Sequence, residues 1–146
     1  MAHLERSAKQ AMTISKRNAL VERLSNEEEP LLVPIAEFFD GNDDLGSIGC
    51  NLTEHPGIDT FRKSFVALTA RADVRSIYAR ISELDPGPDS WPFSDTVIVF
   101  GTIPLEELKR ILADLGPDEV VPAEEFGLGP EITARHDAPA LIAWWD

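Results

Sequence analysis

The sequence predicts an α+β fold: a two-layer sandwich with an antiparallel sheet, its strands in split βαβ (ferredoxin-like) order, preceded by an N-terminal helix. Three observations predict it. Apolar residues recur with helical period over 58–72 and 105–115, and they alternate with strand period over 74–84. Thr96-Val97-Ile98-Val99-Phe100 is apolar on both faces, which suits a strand in the middle of a sheet. The segments follow one another as strand, helix, strand, strand, helix, strand, the split βαβ order in which the first and third strands are central.

Each element has its own local reasons. Leu4, Ala8, Ala11, Met12, Ala19, Leu20 and Leu24 form a loose helical stripe over residues 3–25, interrupted by Thr13-Ile14-Ser15. Asn26 to Pro30 break this helix, so residues 1–30 read as helix and linker, and 31–146 as a single domain. Ser47-Ile48-Gly49-Cys50-Asn51-Leu52 alternates and predicts a short strand with Ile48, Cys50 and Leu52 on one face. Pro56 suits a first helical turn, Asp59 the positive end of that helix, and Ile58, Phe61, Phe65, Leu68 and Ala72 its buried stripe.

Val74 to Leu84 is the next strand, with Ile77, Ala79 and Ile81 alternating against Tyr78, Arg80 and Ser82. Asp85-Pro86-Gly87-Pro88-Asp89 is a loop. After the apolar strand at 96–100, Thr102 offers an N-cap, with Pro104, Glu106 and Glu107 in the first turn. Leu105, Leu108, Ile111, Leu112 and Leu115 are its apolar stripe, and Gly116-Pro117 ends it. Glu119 to Val121 reads as an edge strand, Gly127 to Pro130 as a loop, and Ala140 to Trp145 as the last strand.

The 146 residues, 43% of them hydrophobic, suffice for one core without disulfides. A single cysteine excludes an internal disulfide and any CxxC metal or redox site. No stretch reaches the roughly 20 apolar residues of a membrane span, and no charged-then-apolar leader opens the chain; a cytoplasmic protein is expected.

The net charge is −13, unevenly spread. Residues 1–24 carry five basic and two acidic side chains, a balance of +3, whereas the other 122 carry 8 and 24, a balance of −16. Such a field repels nucleic acid and speeds encounter with a basic protein partner.

Phe38-Phe39-Asp40-Gly41-Asn42-Asp43-Asp44-Leu45-Gly46 is the densest polar cluster. Aligned to a calcium loop, Asp40, Asn42 and Asp44 take the first, third and fifth positions, but Leu45 stands where glycine is required and Asn51 where a bidentate glutamate is. It is therefore no EF-hand. It reads as a loop held by its own side chains, with a different cation site or a recognition surface as alternatives. His55, near Cys50, is the one imaginable base, although alternation places Cys50 in the core. Ser90-Trp91-Pro92-Phe93-Ser94-Asp95 sets two aromatics around a proline, either packed on the domain or anchoring a partner. Alternation sends one ring of Trp144-Trp145 inward and the other outward. Phosphate-loop, dinucleotide, serine-hydrolase and zinc-protease motifs are absent, so no catalytic, metal or cofactor residues are assigned.

On the FFDGNDDLGSIGCNL run at 38–52 and the WPFSD run at 91–95, the chain resembles a group of small bacterial proteins of unknown function, over roughly residues 31–121. In type, without residue matches, it also looks like the immunity proteins of polymorphic toxin systems. The expected function is a noncatalytic acidic interaction protein, an inhibitor of a basic partner such as a nuclease toxin, with Asp40, Asp43, Asp44, Trp91 and Phe93 as its contact surface. The alternative is a small cation-binding protein or enzyme that uses the Asp40–Asp44 loop. A homodimer would form through the N-terminal helix or Trp144 and Trp145.

Overall fold

The computed structural model describes residues 2–145, without the side chains of 2–10 and Glu131. Leu4 and Ala8 of the expected stripe, His3 and Asp146 therefore lie outside what is described. Helix α1 spans Ala2–Leu24. Its C-terminal half packs on its own chain: Leu20 and Leu24 are buried in the main core, while Met12 and Ile14 are exposed. Arg17, itself buried, ties the helix down by donating to Gly87 O (2.8 Å) and Ser90 O (3.0 Å) and pairing with Asp85.

Strand β1 (Leu32–Pro34) leads directly into helix α2 (Ile35–Phe39), which buries Ile35, Phe38 and Phe39. Pro34 has no N–H to give a ladder, which suits an edge strand. The strand expected at 47–52 is instead a loop. Ser47 N donates to Asp44 O and Leu52 N to Gly49 O, both at 3.0 Å, so local turns claim the groups a ladder would have used. Ile48 is buried, but Cys50 is exposed, contrary to the expected core placement.

Helix α3 (Ile58–Thr69) buries Ile58, Phe61, Phe65 and Leu68, the expected stripe, and stops before Ala72. It begins after Gly57, two residues beyond the Pro56 start. Strands β2 (Val74–Glu83) and β3 (Phe93–Gly101) pair along their length. A Cβ on Gly101 (φ +147°) would lie 2.3 Å from Asp73 O, so only glycine fits there. Asp73 O accepts from Thr102 N (2.8 Å) and Ile103 N (3.2 Å). Thr102 is therefore part of this crossing, and Pro104, not Thr102, precedes helix α4 (Leu105–Leu112). A 3₁₀ turn over Ala113–Leu115 follows, closed by Gly116 in the left-handed region.

Strand β4 (Glu119–Pro122) lies at an edge. Two short helices then appear that periodicity did not announce, α5 (Ala123–Phe126) and α6 (Pro130–His136), before strand β5 (Ala140–Trp144).

The sheet runs β1-β2-β3-β5-β4 with every pair antiparallel. The α+β class and N-terminal helix stand, but the split βαβ order does not: that order needs parallel central strands, and the first of its strands is the 47–52 loop. β3 is central as expected, with Val97, Ile98, Val99 and Phe100 at most 1% exposed. Its alternation splits the core. Val97 and Val99 face α1 to α4; Ile98 and Phe100 face Ala123, Leu128 and Ile132 on the other side. The molecule thus has a small third layer where two were expected.

Candidate functional site

The sequence-selected residues converge, but around a structural clip more than an open contact surface. Asn42, 1% exposed, donates to Ser47 Oγ (2.9 Å) and accepts Asp44 N (2.9 Å). Asp44 accepts Gly46 N on Oδ1 (2.9 Å) and Trp91 N on Oδ2 (3.0 Å), while Ser94 N donates to Ser47 O (2.8 Å). These bonds join the 40–47 loop to the 91–94 segment. Trp91 is 3% exposed in the main core, so it is no open anchor, and its Nε1 meets no acceptor among the described residues. Phe93 is half-buried at the start of β3, opposite Glu83.

Asp40 and Asp43 are exposed. Asp40 pairs with Lys16 (2.7 Å), whose stem crosses Gly41 so closely that a Cβ there would lie 2.7 Å from Lys16 Cδ. Arg62 of α3 donates to Asn42 O (2.7 Å) and Phe39 O (2.9 Å), closing the end of α2, and pairs with Asp59. Most oxygens a cation would need in this loop thus already accept internal donors. No group of three or more His, Cys, Asp or Glu among the described residues could hold a metal ion.

Histidine 55 is similarly engaged. Its Nε2 lies 2.8 Å from Ile48 O and its Nδ1 accepts Gly57 N at 2.9 Å, with its ring against Phe61. With Gly57 N donating to Nδ1, Nε2 is left to donate to Ile48 O, so both ring nitrogens are engaged within the chain.

Sequence reasoning missed the groove beside this clip. Between α2 and α3 lies a cavity of about 770 Å³ with Phe39, Phe65 and Val66 in its walls. A second, of about 490 Å³, adjoins it across Gly41 and Arg62 and includes Met12 and Leu45. Met12, Leu45 and Val66 are 62%, 53% and 62% exposed. Glu37, Asp40, Asp43 and Asp59 border the pair of cavities, against Lys16 and Arg62. The available signal was Val66, an apolar residue off the buried stripe of α3. Of the terminal tryptophans, Trp145 is buried against Phe61 and donates to Leu115 O (2.9 Å), so it is unavailable to a dimer; Trp144 is half-buried.

No helix of the described residues is long and apolar enough to cross a membrane. No solved structure matches the chain. The curated protein "Uncharacterized protein YfbO" of Escherichia coli (strain K12) is 30% identical over 129 residues, which cover 84% of this chain and 89% of that protein. The model of the Uncharacterized protein YfbO family matches residues 15–141, a span that includes both the 38–52 and 91–95 runs and extends well beyond the segment on which the resemblance rested. The chain belongs to the YfbO family.

Proposed function

We propose that this protein is a noncatalytic acidic binding protein that takes a basic protein partner along the α2–α3 groove, as an immunity-type inhibitor would hold a basic toxin. The observation that carries the reading is that groove together with the cavity adjoining it: exposed Val66 in the first and Met12 and Leu45 in the second lie within a border of four carboxylates and two cations. Apolar anchors in a desolvated groove hold a complex together, and rim carboxylates in an acidic field speed its formation. The chain's overall balance of −13 opposes a second copy as occupant and favours a basic one. In this reading Asp40 and Asp43 meet the partner, Asp44 and Trp91 hold the loop that presents them, and Phe93 supports that loop. A cytoplasmic setting accords with Cys50, an exposed free thiol suited to a reducing compartment.

The test is affinity capture from native cell extract at low and high salt, with Asp43→Lys beside the unaltered chain. The reading expects a stoichiometric basic protein whose recovery falls with salt and with the charge reversal. Capture of no protein, or of one indifferent to both, would sink it.

A further inference from the structure

On the second face of the sheet, one end carries a cleft whose border mixes both charges with aromatic rings. The registers place Leu32, Arg80, Thr96, Trp144 and Glu119 side by side across all five strands. The next row along, Tyr78, Ile98, Ile142 and Val121, belongs to the core beneath Leu128 and Ile132. Among the described residues of α5 and α6, only Phe126 lines the space at the end row. A cleft of about 380 Å³ remains there, bordered by Arg80, Asp95, Thr96, Phe126, Trp144 and Glu29. That volume is in the range of small-molecule sites.

Arg80 is half-buried, yet its guanidinium makes no hydrogen bond or ion pair among the described residues. Arg17, Arg23, Arg62, Arg71 and Arg110 all pair with carboxylates. In a chain with twice as many acids as bases, a partly desolvated arginine without a carboxylate is out of place unless something else supplies one. Asp95 is oriented by Ser82 Oγ (2.8 Å) and Thr96 Oγ1 (2.9 Å), both donating to Oδ1; Oδ2 accepts nothing among the described residues. Thr96 is a short side chain between Arg80 and Trp144, which stand two strand spacings apart, about 10 Å. Trp144 and Phe126, both half-buried, add a smaller apolar share to a mostly polar lining.

We infer that this cleft is a binding site for a small zwitterion with an apolar side group, the chemistry of a free amino acid such as leucine or phenylalanine. The ligand carboxylate meets the Arg80 fork, its ammonium meets Asp95 Oδ2 and Glu29, and its side chain rests over Thr96 against Trp144 and Phe126. A plain anion would face two carboxylates and a plain cation would face Arg80; a zwitterion satisfies both signs. The site lies on the opposite sheet face from the α2–α3 groove and does not depend on it.

Calorimetric titration of the full chain tests the inference, with leucine, phenylalanine, glycine, phenylpropanoate and phenethylamine as probes. Saturable binding of leucine or phenylalanine is expected at millimolar concentrations or below, and roughly tenfold or more weaker binding of the three probes that lack one of the groups. Arg80→Leu, which breaks no internal bond, should weaken it by a similar factor, as should Trp144→Ala, while Asp43→Lys leaves it unchanged. Absence of saturable binding by either amino acid, undiminished binding by folded Arg80→Leu, or equal binding of phenylpropanoate would overturn the assignment.

Discussion

Asp44 closes the front of the molecule, because one carboxylate satisfies backbone N–H groups from two segments, Gly46 and Trp91. Truncating it orphans both donors, so Asp44→Ala should destabilise the fold by about 1–3 kcal/mol in chemical denaturation, whereas Asp43→Ala, one residue away and exposed, should cost roughly 0.5 kcal/mol or less. Cys50 is exposed beside Asn51, so a maleimide should label it rapidly in the native protein without denaturant; protection until unfolding would contradict the loop described. The alternation of Ile48, Cys50 and Leu52 was legible but misleading. Six residues can alternate within a turn, and the glycines at 46 and 49, with Gly49 at φ +67°, let side-chain and turn hydrogen bonds outcompete a strand ladder. The Asx-rich character of 40–46 was readable because its bonds are local; that Asp44 reaches Trp91, 47 positions on, was not.

At the scale of elements, α1 packs on its own chain through its C-terminal half. Leu24 is fully buried and Leu20 nearly so, hence Leu24→Ala should cost about 2–5 kcal/mol and shift a single cooperative unfolding transition. A loss near zero would mean that the helix packs elsewhere. The helices α3 and α4, whose apolar stripes repeat cleanly over 12 and 8 residues, and strands with long apolar runs were legible because their burial pattern is written into adjacent residues. α5 and α6 were not, since four- and seven-residue helices carry too few periods to read. The sheet order escaped for a different reason: α4 leads β3 out to the edge strand β4, and β5 returns between them, a choice made by packing over many residues. The groove of α2 and α3 and the row at the sheet's open end are likewise products of tertiary assembly, so only their individual residues could be seen beforehand.

For the whole molecule, His136 and Asp73 respond to pH with opposite charge and in the same direction. His136 stacks on Phe100 at 4.2 Å and lies near Tyr78 at 4.9 Å; burial, and then Arg135, hold its pKa below the ordinary histidine value. The unfolded chain therefore takes up that proton more readily, and stability should fall as pH drops below about 6.5 toward the lowered folded value. His136→Phe should flatten this part of the melting-temperature profile. Hydrogen bonds from Arg71, at 2.8 and 2.9 Å, hold the Asp73 carboxyl below its ordinary range, so its contribution is present above about pH 4 and lost as pH falls through the lowered value. Charge also underlies the proposed capture of a basic partner by an acidic surface whose exposed apolar anchors are Met12, Leu45 and Val66. The most direct measurement is quantitative recovery of captured partner by Val66→Glu, in the groove, against Ala134→Glu, exposed on α6 across the sheet. Val66→Glu is expected to lose the partner by roughly tenfold or more while Ala134→Glu keeps it. Equal recovery by both variants would contradict it.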